Sequence, residues 1–453
     1  MEIQKGLCNP QTCNLECYEA CMDIHGDDSP LTYTKGDKTP KIDTNECTRC
    51  LKCVRACPTN AITASRAPKK KKPIEPITKD AEDTYRPYEV SDDWEAFSEA
   101  DMIFARVHND PDFKNYQQNE WHGAEAMIAR NIPGYGKFEH DMSASGWTLY
   151  DSRGNINLRK TDFSKENEET KESPLPTQTR DIKRAARFYG ADLVGIAKID
   201  RRWLYASNRQ REEYKIPDSV DRVIVMAVEM DYEGIATSPA FTSAANTALG
   251  YSRMAFLEIE LSALIRKRGY TAIPCGNDVS LSVPQAIDAG LGMIGRHGIL
   301  ITKEFGPRVR IAKVLTDMPL TPDAPDKKFC DSVTRFCEIC EKCATTCPSQ
   351  SIEYGKDLTW KGKTRSNIPG VKKWYINPET CYIFWVENGS ECSTCIRSCP
   401  YNKKNNILHK LIVWTVTHMP FMNGLVLMMD NLLGFGKQKN PEKYLNQYDK
   451  RSN

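Results

Sequence analysis

Apolar and polar positions follow two rhythms along this chain of 453 residues, and the rhythm changes where the elements change. RDIKRAARFYGADLVGIAKID (180–200) predicts a helix, a glycine stop and a strand. DRVIVMAVEM (221–230) predicts another strand. Residues 243–268 have helical spacing, with Leu249, Phe256, Ile259 and Leu264 as apolar positions. GYTAIPCGND is a predicted strand running into a turn, and SVPQAIDAGLGMIG a helix closed by glycine. HGILITKEFGPRVRIAKVLTD predicts two strands joined through Phe305-Gly306-Pro307. Upstream, YEVSDDWEAFSEADMIFARVHND and EWHGAEAMIARNI have helical spacing, while GWTLYDSRGNI predicts a strand and turn. From Leu411 to Met429 no charged residue occurs for nineteen positions, which approaches the length of a membrane span. His418, Pro420, Asn423 and Gly424 interrupt it, so two buried helices broken at Pro420 are expected rather than membrane contact.

Six segments result: a cysteine-rich module at 1–65, a Pro/Lys-rich linker at 66–85, a covering region at 86–175, an α/β core at 176–325, a second cysteine-rich module at 326–405 and a helical C-terminal segment at 406–453. The 62 basic and 60 acidic residues give a net charge of +2, which supplies no global reason to expect nucleic acid as partner. No G-x4-G-K-[ST] phosphate loop occurs. The N-terminus, MEIQKGLCNPQTC, has no apolar signal region and no twin-arginine pair, so a cytoplasmic location is expected.

Cysteine changes this picture most. Sixteen of the 18 fall into four runs. Cys337, Cys340, Cys343 and Cys347 have the C-x2-C-x2-C-x3-C-P spacing, and Cys381, Cys392, Cys395 and Cys399 follow as C-x10-C-x2-C-x3-C-P. In such pairs three thiolates of one run wrap a cubane cluster and the fourth reaches the other cluster. The expected sets are therefore Cys337, Cys340, Cys343 with Cys399, and Cys347 with Cys381, Cys392, Cys395. A zinc ribbon needs only paired C-x2-C elements, and the third cysteine and trailing Cys-Pro favour clusters over it. Near the N-terminus, Cys47, Cys50, Cys53 and Cys57 repeat the run, preceded by Cys8, Cys13, Cys17 and Cys21 at wider spacing. Crossing gives Cys8, Cys13, Cys17 with Cys57, and Cys47, Cys50, Cys53 with Cys21. The first of these runs, CNPQTCNLECYEAC, resembles the iron–sulfur domain of archaeal ribosome-recycling ATPases, with Met22 where a proline usually follows. Asp23-Ile24-His25-Gly26 hints at a cobalt-ligating D-x-H-x-x-G motif, but its glycine is misplaced and a polar turn is expected. Cys275 and Cys330 stay unassigned, with a buried thiol the default for Cys275.

From Ala185 to about Gly436 the chain resembles the corrinoid-dependent reductive dehalogenases. The resemblance rests on AARFYGADLVGIAKIDRRWLY, GYSRM, GND, AIDAGLGMIGRHGILITKEFGPRVR, the two cysteine runs, CPYNK and DNLLGFG, in that order. It implies an α/β (α+β) fold: a nitroreductase-like, cobalamin-binding core with ferredoxin-like 2x[4Fe-4S] modules at the N-terminus and after the core. It implies a base-off corrinoid held without a histidine from D-x-H-x-x-G, with two [4Fe-4S] clusters packed beside the core; the N-terminal cysteine runs bring the expected total to four [4Fe-4S] clusters. It implies cleavage of the carbon–halogen bond of a small organohalide, with electrons from a low-potential donor such as a ferredoxin or flavodoxin. Tyr251 matches the family's proton donor, Arg310 the cation beside it and Asn277 the third pocket residue. Phenols, with a reference value of about 10, are protonated at neutral pH, which suits an acid. Arg308, two residues before Arg310, is the competing cation. Met254, one helical turn from Tyr251, and Gly306 and Pro307 in the glycine-rich loop are the expected corrin contacts, with Trp385 as a pocket wall. Two features depart from respiratory members: a cluster module in place of the twin-arginine signal, and Tyr401 where a tryptophan often follows the last Cys-Pro. An epoxyqueuosine-reductase-like or other corrinoid reductase of a non-halogenated substrate is one alternative. A cluster-only electron-transfer protein is another.

Overall fold

The computed structural model describes residues 85–152 and 175–449, and within the N-terminal part residues 2–3, 7–8, 10, 13–25, 29–35, 37–43, 47, 53, 56–59 and 61–63. Cys50, the linker up to residue 84 and the polar connector 153–174 lie outside them. The chain divides into two units, Met1–Glu82 and Asp83–Asn453.

The first unit is held by very short elements. Helix α1 (Glu16–His25) carries Asp23 to His25 in its last turn rather than in a loop. Two-residue strands pair Glu2–Ile3 with Ile62–Thr63 and Leu31–Thr32 with Lys41–Ile42. Among the described residues the interior gathers Cys17, Cys21, Cys53 and Cys57 with Leu31, Ala61 and Ile62 buried beside them. An interior made largely of thiols has little apolar area of its own, so metal binding is expected to contribute much of its folding energy.

The second unit is built on a four-stranded antiparallel sheet. In chain order its strands are β1 (Leu193–Lys198), β2 (Arg222–Glu229), β3 (Ala272–Cys275) and β4 (Val309–Thr316), and in space they lie β1-β2-β4-β3. Central β4 pairs Arg310 with Val228 and Val314 with Pro274. Both faces are covered, so the strands read as nearly unbroken Val/Ile/Ala runs rather than as clean alternation. On one face Ile196, Ile224, Met226, Ala312 and Val314 meet α3 (Leu175–Phe188) and the 27-residue α4 (Phe241–Lys267), preceded in the chain by α2 (Lys137–Gly146). On the other, Val223, Val225, Ile311 and Leu315 meet α5 (Ser282–Asp288) and α6 (Lys327–Ile339). Helix α7 (Pro378–Asn388) carries Cys381, the first cysteine of the last run; α8 (Ile407–His418), α9 (Asn423–Leu432) and a last helix at Pro441–Asp449 follow the cysteine runs.

Four sequence expectations change. Helix α4 buries Met254, Leu257, Leu261 and Ile265, and Leu249 and Phe256 face outward; apolar all round, it has no single stripe to read. GWTLYDS is helical (Thr148–Ser152), because Trp147 and Tyr150, three residues apart, pack together against α4. Leu300–Ile301 pairs with Met293–Ile294 in a ribbon of its own rather than with β4. The helices around Pro420 are broken there, bent by 114°, but each turns a broad apolar side outward instead of being buried. Among the described residues no single helix is long and apolar enough to cross a membrane.

Candidate functional site

Three elements distant in sequence meet above the helical face of the sheet. Tyr251 stands in the middle of α4, Asn277 on the turn that leaves β3, and Arg310 near the start of β4. The turn is shaped by Asp278, whose carboxylate accepts from the Gly276 amide at 2.9 Å, and by Val279 at φ 66°. From it the Asn277 side-chain amide donates to the Tyr251 hydroxyl oxygen at 3.1 Å. That bond uses the phenol as acceptor and leaves its O–H available to donate. The Arg310 guanidinium lies 4.8 Å from the centre of the Tyr251 ring, a cation–π distance. Its stem passes where α4 has no side chain: a Cβ on Gly250 would come within 3.0 Å of Arg310 Cγ.

Arg308 does something else. It is fully buried and donates to Asn402 Oδ1 (2.9 Å), to the carbonyls of Lys403 (3.1 Å) and Met230, and to Glu229. It pins the residues just after the last Cys-Pro to the end of β2. Arg310 makes one long hydrogen bond, to Thr247 Oγ1 at 3.4 Å, and its buried Nε has no partner among the described residues. The geometry therefore separates the two cations.

The expected corrin contacts lie in the interior. Met254 has no exposed surface and fills the core between α4 and the sheet, so it has no side to offer a ligand. Gly306 (φ 57°) and Pro307 are buried as well; a Cβ on Gly306 would meet the Tyr401 carbonyl oxygen at 2.3 Å. The loop's glycine serves this close approach of two backbones. Trp385 packs with Phe104 and Tyr382 and lies beside the Cys381 thiol rather than against Tyr251.

Next to the trio, a cavity of about 250 Å³ has Asn277 in its wall. Tyr88, Trp94, Trp203 and Tyr205 make much of the rest, and Lys373 projects among them, its ammonium lowered to about 8 by burial. The indole N–H of Trp94 is buried there without an acceptor.

The inner thiols lie near one another, and their mutual repulsion and burial raise them. Burial and the neighbouring Cys399, Cys337, Cys395 and Cys340 drive the Cys343 thiol far above its ordinary value. Cys399 is raised by burial and then by Cys337 and Cys340. Cys381 is raised by burial and then by Cys395, Cys392 and Cys347, and Cys395, at about 12, by burial and then by Cys392 and Cys347. Such thiols resist ionisation by themselves; a coordinating metal reverses that preference. Among the described residues no three ligand side chains converge as they would on a single ion. Arg296, fully buried, donates to the carbonyls of Cys337 (2.6 Å) and Cys340 (3.3 Å) and fixes that loop. In the first unit Cys17 is raised to about 11 by burial, Cys57, Cys13 and Cys8. Cys21, Cys47 and Cys53 share its interior, and their expected companion Cys50 lies outside the described residues. Cys330 is buried near the carbonyl of Gly292, apart from both inner sets.

Four residues of the site carried no signal in the sequence. Trp147 stacks on the Tyr251 ring at 4.4 Å, and Tyr150 meets the ring edge-on at 5.0 Å. Glu391 accepts from the Trp147 indole at 3.0 Å, and burial raises its carboxyl to about 7. Thr247, within 3.4 Å of both Arg310 and Ser393, links the trio to the loop of Cys392.

The 4Fe-4S binding-domain family matches residues 40–63, and the 4Fe-4S dicluster-domain family matches residues 336–403. A tetrachloroethene reductive dehalogenase of Desulfitobacterium hafniense is 37% identical over 306 residues, 58% of this chain and 55% of that protein. That of Sulfurospirillum multivorans is 34% identical over 360 residues, 69% of this chain and 71% of that one. The chain thus spans 55% to 71% of the length of these relatives. Among solved structures, a reductive dehalogenase described as suggesting a mechanism for B12-dependent dehalogenation superposes with a TM-score of 0.63 at 22% identity, over 79% of this chain and 49% of that one. At that identity the likeness speaks for the fold.

Proposed function

The chain belongs to the reductive dehalogenase family, and from that premise we propose that it reductively cleaves the carbon–halogen bond of a small organohalide with Tyr251 as proton donor. The observation that carries this is the Asn277 amide on the Tyr251 oxygen under the Arg310 guanidinium. The overall change is R–X + 2 e⁻ + H⁺ → R–H + X⁻. Tyr251 gives the proton to the substrate carbon. Asn277 orients the phenol and donates to the oxygen as it gains charge, and Arg310 stabilises the phenolate until it is reprotonated. Trp147 holds the ring in place, and Glu391 holds Trp147.

The donor chemistry present suits the rim of a corrinoid, a large flat group fringed with amides: the aromatic cavity has the buried Trp94 N–H, which has no acceptor among the described residues, in its wall, and its volume of about 250 Å³ is less than the whole group fills. Trp94, Asn277 and Lys373 are the side chains that would hold its periphery, in a base-off state, on a core we read as nitroreductase-like. When bound, the corrinoid supplies low-valent cobalt to pass electrons to the substrate. The 4Fe-4S domains deliver those electrons. We assign one cluster to Cys337, Cys340, Cys343 and Cys399 and one to Cys347, Cys381, Cys392 and Cys395. The latter is favoured as the donor to the site, because Ser393 and Cys395 lie beside the Thr247 and Met230 that border it. Cys8, Cys13, Cys17 and Cys57, and Cys21, Cys47, Cys50 and Cys53, make two more, which serve as an inlet from a ferredoxin or flavodoxin. The abundance of cluster-type thiols fits a reducing, cytoplasmic setting.

Metal analysis after oxygen-free reconstitution with a corrinoid tests this. About sixteen iron, from four cubanes, and one cobalt per chain are expected, with halide released from some member of an organohalide panel. Cobalt without halide release points to a reductase of another substrate. Iron without cobalt, in folded protein, removes the roles given to Tyr251, Asn277 and Arg310. Deleting residues 1–65 should slow turnover with a protein donor and spare a small artificial reductant; equal loss with both rejects the inlet.

A further inference from the structure

The bent helix pair α8–α9 carries an apolar surface that the reaction does not use. Ile407 is 86% exposed, Trp414 51%, Phe421 78% and Leu432 74%, with Leu411 and Leu425 exposed between them. They fall at helical spacing, 407/411/414 on one helix and 421/425/432 along the other, so each makes one outward stripe. The opposite faces are firmly seated. Val413 and Val416 enter the main core, His409 bonds to the Lys303 carbonyl at 2.9 Å, and Asp430 pairs with Lys403 at 2.7 Å and with Lys342. The stripes are thus the outer side of an anchored element.

Charge decides what covers them. From 404 to 440 the chain has four lysines, Lys404, Lys410, Lys437 and Lys439, and one acid, Asp430, which is buried and turned inward. Lys404 and Lys439 are held by Glu233; Lys410 and Lys437 stand exposed with no ionic partner among the described residues. A transient protein partner is a poor match, since such interfaces are no more apolar than ordinary surface. A second copy meeting the same patch across a two-fold axis would bring these cations toward each other. Apolar side chains, a tryptophan and unmatched lysines together suit an anionic lipid surface. We propose that α8–α9 is a one-leaflet membrane contact, with the apolar stripes in the acyl boundary and Lys410 and Lys437 at the headgroups. The 114° bend makes the pair lie on the bilayer rather than cross it.

The test is flotation of the full-length, cluster-loaded protein with phosphatidylglycerol–phosphatidylethanolamine vesicles and with phosphatidylcholine vesicles, alongside sedimentation without lipid. The parent should float with the anionic vesicles. Trp414→Glu combined with Phe421→Glu should lower the bound fraction about tenfold, and Lys410→Glu about fivefold on anionic vesicles only. Both sites are exposed, so iron content and halide release with a soluble reductant should be unchanged; this separates the surface from the catalytic reading. No flotation of the parent, or undiminished flotation of the double variant, overturns the proposal. So does a dimer that the double variant splits without lipid, which would assign the patch to a second copy.

Discussion

Two arginines stand two residues apart at the start of β4, and they differ in what is left over. Arg308 is enclosed and spends its donors on Glu229, Asn402 and two backbone carbonyls. Arg310 lies over a tyrosine ring, with one long hydrogen bond and a buried N–H that nothing among the described residues accepts. A guanidinium whose donors are used up is part of the scaffold. One held in position with donors to spare is arranged for something that arrives later.

Four substitutions can break or sharpen that contrast. The largest expected effect is in the pocket: Tyr251→Phe should lower kcat by about 10³-fold, with iron content and thermal midpoint unchanged. Arg308→Ala should do the converse, costing about 3 kcal/mol, the low end for a buried pair broken on one side, because Glu229 keeps some contact with water. Thermal unfolding reads it, and the residual folded enzyme should turn over normally. Arg310→Gln should lower kcat about 10²-fold with the melting temperature held. A fall in stability like that of Arg308→Ala would erase the distinction. Gly250→Ala is the finest probe. Its methyl would press on the Arg310 stem at 3.0 Å, and kcat should drop about threefold without a change in iron.

Much of this contrast could be read in advance, and the missing part has physical reasons. The main strands and α4 are long, apolar and bounded by glycine and polar turns, so their positions were legible. The identities of Tyr251, Asn277 and Arg310 came through resemblance; only the fold shows Asn277 within 3.1 Å of the Tyr251 oxygen. Met254 was misplaced because a helix apolar on every side does not say which face meets the sheet. Gly306 suggested a cofactor because a glycine signals close approach without naming what approaches; here it is the Tyr401 carbonyl. Trp147 sits in a short, β-prone GWTLY stretch whose helical form depends on α4. Glu391, one acid among 60 acidic residues, owes its place to the indole across from it. The outward turn of α8–α9 was hidden because an uncharged run looks the same whether protein or another apolar phase covers it.

The contact between Gly306 and the Tyr401 carbonyl bears on how the molecule matures. One end of that contact is the turn that leads into β4, the other the segment that follows the last Cys-Pro. A ribosome delivers the turn roughly a hundred residues before the segment, and the segment takes its shape only when its thiols have found iron. The central strand of the sheet is therefore finished late, by a part of the chain that waits on metal. Iron-starved cells should accumulate protein that a protease nicks between 302 and 307, and iron repletion should close that site. Cluster loading would then check the sheet that carries Arg310 as well as equip the chain for electron transfer.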